Sequence, residues 1–174
     1  MKKTDVKLIC FYGPESTGKS TMARHFAGLY QTEFVPEVSR EMILSNNFSV
    51  EDIIKIGKAQ TDRIKEKTKT ANKILFCDTD LITTQIYSKQ YLNVVPPVLH
   101  ELEQEIQFDQ YFLFNIDVPW VSDGLRDLGN QREQMMKIFE EELMKRKIRP
   151  TLVRGDWHER EEIIKQKIKT LFQN

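Results

Sequence analysis

The sequence has few cysteines, no excess charge of either sign and no long apolar run, and each absence excludes a class of protein. Its 174 residues contain 26 Lys and Arg against 26 Asp and Glu, so no overall positive field exists to gather nucleic acid or an anionic membrane. No apolar run approaches the roughly 20 residues that span a bilayer. Cys10 and Cys77 lie in apolar segments, which favours buried thiols in a reducing cytosol over a disulfide. We therefore expect a cytoplasmic protein with no nucleic-acid or membrane partner.

Short apolar runs alternate with longer amphipathic stretches along the chain. Runs that are apolar on both faces indicate a parallel sheet covered by helices on both sides. The predicted strands are residues 7–12, 33–36, 73–77, 111–116 and 151–153. The predicted helices are residues 18–30, 50–67, 80–90, 98–106, 133–147 and 159–172. The pattern predicts one domain over residues 1–174, a three-layer α/β/α fold around a central five-stranded parallel sheet, with ligands at the carboxyl ends of the strands.

A glycine-rich loop follows the first predicted strand. Residues 13–20 read GPESTGKS, which fits the phosphate-loop pattern G-x-x-x-x-G-K-[ST]. Gly13 and Gly18 let the backbone curl its N–H groups around phosphate, and the next helix directs its positive end at the same anion. Lys19 is expected to reach the β- and γ-phosphates of ATP, and Ser20 to offer a hydroxyl to Mg²⁺. The predicted ATP-binding residues of this P-loop NTPase fold are Gly13, Pro14, Glu15, Ser16, Thr17, Gly18, Lys19, Ser20 and Thr21, together with Arg126 of a later loop.

Two aspartates stand at the end of the third predicted strand. Asp78 ends the apolar run ILFCD, the Walker-B position, where a carboxylate holds Mg²⁺ together with Ser20. Asp80 lies two residues further on and either points into the same cleft or caps the helix that follows. The sequence therefore predicts a magnesium site formed by Ser20 and Asp78.

A further carboxylate follows the second predicted strand. Glu37, in FVPEVSRE, is placed to accept a proton from a substrate hydroxyl. Arg40 lies one helical turn away and could steady either a bound anion or Glu37 itself. The alternative is an ordinary surface charge pair.

An arginine-rich loop follows the fourth predicted strand. Residues 120–132 read WVSDGLRDLGNQR, in which Arg126 and Arg132 flank Gly129. Kinases of this class use a mobile lid at this place, whose arginines neutralise charge on the transferring phosphoryl group, and we predict such a lid at about residues 120–133. The alternative is a solvated loop with structural ion pairs. Trp120 offers a face for stacking on a planar ring, or is a core tryptophan.

Several motifs of other enzyme classes are absent. FNIDVPW stands where a Ras-like GTPase would carry N-K-x-D, and neither H-E-x-x-H nor G-x-S-x-G occurs. The chain is also too short for an AAA+ core with its lid domain. A small-molecule kinase fits the length and the predicted lid best.

The motifs GPESTGKS, PEVSRE, CDTDLITTQIYS and DVPWVSDGLRDLGNQRE, with GDW-x-x-R at residues 155–160, together resemble the ribosylnicotinamide kinase domain of the NadR family. The resemblance covers nearly the whole chain. It implies Mg·ATP-dependent phosphorylation of the 5′-hydroxyl of nicotinamide riboside, giving NMN and ADP in NAD salvage. The sequence shows neither a helix-turn-helix region nor an H-x-G-H motif, so neither DNA binding nor adenylyl transfer is expected.

The resemblance also implies roles for individual residues. The riboside would enter near Glu37, Asp80 and Trp120, and Asp80, Thr83 or Thr84 would bind ribose hydroxyls. Glu37 or Asp78 would take the proton of the 5′-hydroxyl, with Glu37 preferred. The predicted catalytic residues are Lys19, Glu37, Asp78, Arg126 and Arg132, and the predicted substrate-binding residues are Glu37, Arg40, Asp80, Thr83, Thr84 and Trp120. Two alternatives are a P-loop kinase for another nucleoside or small metabolite and an ATP-binding regulatory module.

Overall fold

The computed structural model describes residues 5–122 and 128–173, with five short strands at the centre of the molecule. Their central residues have both faces covered, and all residues of the third and fourth strands are buried. This explains why the runs carry apolar residues at successive positions instead of alternating with polar ones. The strands are β1 (Lys7–Tyr12), β2 (Phe34–Val35), β3 (Ile74–Asp78), β4 (Gln110–Phe114) and β5 (Thr151–Val153).

The five strands form one parallel sheet in the order β2-β3-β1-β4-β5. The central strand β1 pairs with β3 on one side and β4 on the other, so the loop that follows β1 lies in the middle of the carboxyl edge. Cys10 and Cys77 are register partners on adjacent strands, and both are buried free thiols. The predicted five-stranded parallel sheet is confirmed.

Helices cover both faces of the sheet. Successive residues of β1 point to opposite sides, so Phe11 joins an aromatic core beneath α1 and α7, while Tyr12 packs with Phe139 of α6 on the other side. None of the helices in the described ranges is long and apolar enough to cross a membrane. The helices are α1 (Lys19–Leu29), α2 (Ser39–Met42), α3 (Val50–Thr70), α4 (Leu81–Leu92), α5 (Pro97–Gln104), α6 (Arg132–Lys145) and α7 (Trp157–Leu171).

Helix boundaries follow local capping chemistry. Ser49 caps α3 in a reciprocal capping box with Asp52, as its position before the helix predicts. Asp156 does the same for α7, so this helix starts at Trp157, two residues before the predicted start. The short helix α2 and a 3₁₀ turn at Gly129–Gln131 were not predicted, because segments of three or four residues carry no hydrophobic period.

Candidate functional site

The glycine-rich loop joins β1 to α1 at the centre of the carboxyl edge of the sheet. Gly13 has φ +136°, and a Cβ there would lie 2.8 Å from the carbonyl oxygen of Phe114, so both the turn and the close approach require glycine. Lys19 Nζ donates to the carbonyl oxygen of Pro14 at 2.6 Å, which folds the side chain over the loop. Among the described residues, no side chain caps the first turn of α1. The backbone N–H groups of this turn are therefore suited to an anion.

A buried arginine holds the loop from behind. Arg160, in the first turn of α7, is 3% exposed and forms an ion pair with Asp117 at the end of β4. The guanidinium donates to the carbonyl oxygens of Thr17 (2.8 Å), Gly155 (2.8 Å) and Asn115 (3.2 Å). Burial alone would raise the pKa of Asp117, but the Gly155 N–H and the Arg160 charge lower it below its ordinary value. Arg160 thus ties the phosphate loop to β4 and α7.

Ser20 and Asp78 meet beside the loop, as the sequence predicts. The Ser20 hydroxyl donates to Asp78 Oδ2, and Asp78 Oδ1, which is buried, has no hydrogen-bond partner among the described residues. Burial, with a smaller contribution from the charge of Glu37, raises the pKa of Asp78 to about 6 against the opposing effect of Lys19.

The fit of this pair to Mg²⁺ can be tested on its donor atoms. A hydroxyl and a carboxylate oxygen are the hard ligands that Mg²⁺ prefers, and the ion commonly takes one or two protein oxygens together with phosphates and waters. Within residues 5–122 and 128–173, no group of three or more His, Cys, Asp or Glu side chains is arranged to hold a metal ion. Ser20 and Asp78 therefore fit a cation that takes its remaining ligands from a bound nucleotide and from water. They do not resemble a site in which the protein supplies every ligand.

A cavity of about 120 Å³ opens onto the phosphate loop. One part of its wall is polar and contains the predicted residues Glu37, Arg40, Thr83 and Thr84. The other part is apolar and comes from α3, α4 and the segment before α3. Its members are Ile43, Phe48, Ile53, Ile56, Tyr87 and Tyr91. The cavity therefore combines hydrogen-bonding groups with an aromatic and aliphatic surface, which suits a planar ring bearing hydroxyl groups.

Glu37 lies in this wall with its own partners. Its carboxylate accepts hydrogen bonds from Ser39 Oγ at 2.9 Å and from Arg40 Nε at 3.4 Å. The contact corresponds to one of the two predicted roles of Arg40, the steadying of Glu37. A carboxylate oriented in this way is positioned to accept a proton.

Asp80 lies outside the cavity wall. It is 1% exposed, and Oδ1 caps α4 by accepting from the backbone N and the hydroxyl of Thr83, both at 2.9 Å. Oδ2 accepts from the Tyr111 hydroxyl at 2.9 Å. Both oxygens thus bond within the chain, which is the capping alternative that the sequence left open. Asp80 acts on the cavity through α4, whose first turn brings Thr83 and Thr84 into the wall.

The predicted lid is described only at its two ends, and Arg126 lies outside the described residues. Arg132 Nη1 donates to the carbonyl oxygen of Val118 at 2.6 Å, and Nη2 reaches that of Ser16 in the phosphate loop at 3.4 Å. Trp120 packs on Gly129, where a Cβ would lie 2.6 Å from the indole. With Arg132, it lines a second, smaller cavity beside the loop. Trp120 is therefore not part of the described wall of the 120 Å³ cavity, whose aromatic rings come from other residues.

Several cavity residues, among them Tyr87, Tyr91, Gln60 and Phe48, and one buried cation were not singled out from the sequence. Tyr87 and Tyr91 follow Thr83 by one and two turns of α4, on the same face of the helix. This spacing would have identified them as residues of the cavity wall. Gln60 shares one face of α3 with Ile53 and Ile64, so its spacing in the sequence indicates a core position. Phe48 precedes its helix and carries no periodic signal. Arg160 closes the segment GDW-x-x-R, which was noted without a role.

Comparison with known proteins gives a family and a set of homologues. Residues 8–160 match a family described as an AAA domain. The chain is 36% identical over 133 residues to the trifunctional NAD biosynthesis/regulator protein NadR of Salmonella typhimurium LT2, covering 72% of this chain and 32% of the relative. It thus spans about a third of the length of the curated relatives it matches. The length of the chain argues against an AAA+ core with an additional lid domain. The residues that match the family begin in β1 and end in the first turn of α7.

Solved structures show the same fold. A NadR protein in complex with NAD and AMP-PNP has a TM-score of 0.75 and 20% identity, covering 91% of this chain and 48% of that chain. A NadR protein in complex with NR has a TM-score of 0.73 and 20% identity, covering 87% and 46%. The predicted three-layer P-loop fold is confirmed.

Proposed function

Because the chain belongs to the AAA domain family and is homologous to NadR, we propose that it is a ribosylnicotinamide kinase, which transfers the γ-phosphoryl group of ATP to the 5′-hydroxyl of nicotinamide riboside. The products would be NMN and ADP. The observation that carries the proposal is the 120 Å³ cavity, which opens directly onto the phosphate loop. A phosphoryl acceptor held there lies next to the phosphoryl donor. The proposal takes residues 1–174 as one kinase domain with a lid at about residues 120–133.

The homology with NadR and the shared fold support a nucleotide-binding protein of the kinase kind. The relatives' solved complexes contain AMP-PNP, an ATP analogue, and NR, the usual abbreviation of nicotinamide riboside. We carry both ligands over to this chain as part of the proposal, because its own cavity provides matching chemistry.

The phosphate loop would bind the donor. Its backbone N–H groups and the first turn of α1 surround the phosphates, and Lys19 exchanges its contact with Pro14 for phosphate oxygens. Ser20 and Asp78 would hold Mg²⁺, which neutralises charge on the phosphates when bound. Arg132, already at the loop through Ser16, and Arg126 would stabilise the negative charge of the transition state.

The cavity wall would bind the acceptor. Glu37, steadied by Ser39 and Arg40, orients the 5′-hydroxyl and takes its proton. Thr83 and Thr84 offer hydroxyl groups to the ribose. The rings of Tyr87 and Tyr91 suit the cationic pyridinium, because aromatic faces attract cations. Asp80 and Trp120 support this arrangement from outside the wall, Asp80 by capping α4 and Trp120 by packing on Gly129.

The test is a coupled measurement of ADP and NMN from purified protein, Mg·ATP and nicotinamide riboside. Lys19→Ala should abolish both products, and Glu37→Gln should lower kcat by roughly 100-fold or more with little change in the KM for ATP. Lys69→Ala, at an exposed position of α3, is the matched control and should retain full activity. ADP release without NMN would reject the acceptor and lead to a panel of nucleosides. Absence of both products would reject the kinase.

A further inference from the structure

Gln60 of α3 has a buried side-chain amide whose oxygen accepts a hydrogen bond. The side chain is 2% exposed, and Oε1 accepts a hydrogen bond from the backbone N–H of Val38 at 3.0 Å. A backbone N–H can only donate, so the atom facing Val38 must be the amide oxygen. The orientation of the amide is thereby fixed, and the NH₂ group points elsewhere.

The NH₂ group of Gln60 has no hydrogen-bond partner among the described residues, although Nε2 is buried. Nearly all buried donors in folded proteins have an acceptor, so an unpaired one requires an explanation. Gln60 lines the 120 Å³ cavity. The missing acceptor is therefore to be sought in the molecule that fills this cavity.

The position of the Gln60 amide in the cavity wall limits which groups of a bound molecule it can contact. Ile53 and Ile56 precede Gln60 by two turns and one turn on the same face of α3, and both line the cavity. On the other side, Val38 directly follows Glu37 in the chain. The amide thus adjoins the apolar wall while it is tied to the segment that carries the proposed base.

We propose that Gln60 determines acceptor specificity by donating a hydrogen bond from Nε2 to an oxygen of the acceptor substrate. In nicotinamide riboside this oxygen is the carboxamide carbonyl or a ribose hydroxyl, so the inference rests on the proposed function for the identity of the acceptor. A ligand that presents only donors at this point leaves the NH₂ group unpaired and binds poorly. Discrimination of this kind is strong, because the cost falls on a buried polar group.

Two substitutions separate the proposed role of Nε2 as a donor to the substrate from the role of Oε1 as an acceptor for the Val38 N–H. Gln60→Glu keeps an acceptor for the Val38 N–H and removes the NH₂ donor, and it is assayed at about pH 8.5 to favour the ionised carboxyl. Gln60→Met keeps the length of the side chain and removes both functions. Gln85→Met is the matched control, because Gln85 is a buried amide of α4 whose Nε2 and Oε1 bond to Glu103 and Arg146, away from the cavity wall.

Both Gln60 variants should raise the KM for nicotinamide riboside by roughly 10-fold or more, while the KM for ATP changes by less than about twofold. Gln85→Met should leave both KM values near wild type. Two analogues identify the oxygen: pyridine riboside, which lacks the carboxamide, and the 3′-deoxy riboside. The analogue that lacks the recognised oxygen should bind wild type more weakly than nicotinamide riboside does. For that analogue, Gln60→Met should have the same KM as wild type.

The inference is overturned if both variants keep the KM for nicotinamide riboside within about twofold. It is also overturned if Gln60→Glu behaves as wild type while Gln60→Met is impaired, because the tie to Val38 would then explain the effect. If Gln60→Met does not fold, as circular dichroism would show, Gln60→Glu decides the matter alone. Failure of wild type to phosphorylate nicotinamide riboside rejects the proposed function, and the same variants are then tested on the acceptor that a nucleoside panel identifies. Absence of any acceptor in that panel rejects both.

Discussion

Replacing Arg160 with methionine removes the guanidinium that joins the phosphate loop, the end of β4 and the start of α7. The side chain is 3% exposed, and its donors serve three backbone carbonyl oxygens as well as Asp117. Removing one partner of a buried pair costs about 3 to 5 kcal/mol. The lower end applies here, because the Asp117 side chain is 34% exposed and water can reach it. We expect the free energy of unfolding to fall by about 3 kcal/mol.

The measurement is urea unfolding of Arg160→Met beside wild type, with ATP kinetics on the same preparations. The KM for ATP should rise by roughly 10-fold, because the carbonyl of Thr17 in the phosphate loop loses its donor. Arg154→Met, which removes an exposed arginine six residues earlier, is the control and should change stability by less than about 0.5 kcal/mol.

Two results would refute this reasoning. A loss of stability under about 1 kcal/mol would mean that the buried carbonyls find other donors. A full loss of stability with an unchanged KM for ATP would mean that Arg160 supports the fold without shaping the phosphate loop.

Three further predictions concern single positions. Without metal, wild type should gain about 3 kcal/mol of stability relative to Asp78→Asn as the pH falls from about 6 towards 3.8, because the pKa of Asp78 is raised from 3.8 to about 6 and the folded state binds the proton more tightly. Urea unfolding at several pH values would contradict this if the difference stayed constant. Gly57→Ala should destabilise the fold by about 1 kcal/mol, because the new Cβ would lie 2.6 Å from a methyl group of the buried Leu99. Gly28→Ala should stabilise it by about 0.5 kcal/mol, because its Cβ would have no atom from outside its own helical turn within 4 Å. Equal effects of the two substitutions in thermal unfolding would rule out crowding as the cause. Gly129→Ala should displace the ring of Trp120, and the indole resonances of the two tryptophans in NMR spectra check this, since an unchanged spectrum would show that the ring accommodates the methyl group.

The sequence predicted the fold because its strands and helices carry local signals. The phosphate loop has a fixed spacing, and each strand is a short apolar run bounded by turn residues. The contact of Ser20 with Asp78 could be predicted because Asp78 ends β3 and Ser20 follows the loop after β1, and the two strands end at the same edge of the sheet.

The wall of the 120 Å³ cavity was harder to predict, because the positions of its residues in the sequence fit either the core or a binding site. Gln60 shares a stripe with core isoleucines, and Tyr87 and Tyr91 read as core aromatics. Only tertiary contacts show that the cavity reaches them. Asp80 shows the converse, since its position after a strand suggests a ligand, whereas its oxygens cap a helix and bind a tyrosine. The functional roles of these residues stay predictions until the kinetics are measured.

Helix α3 has a consequence for how such a protein can change over evolutionary time. It supplies Ile53, Ile56 and Gln60 to the wall of the 120 Å³ cavity, whereas the phosphate loop lies between β1 and α1. Under the proposed function, substitutions of Ile53 and Ile56 would alter which molecule is accepted without replacing a residue proposed for phosphoryl transfer. A gene copy that varied only there would explore new substrates without losing the reaction, and an engineer could follow the same route.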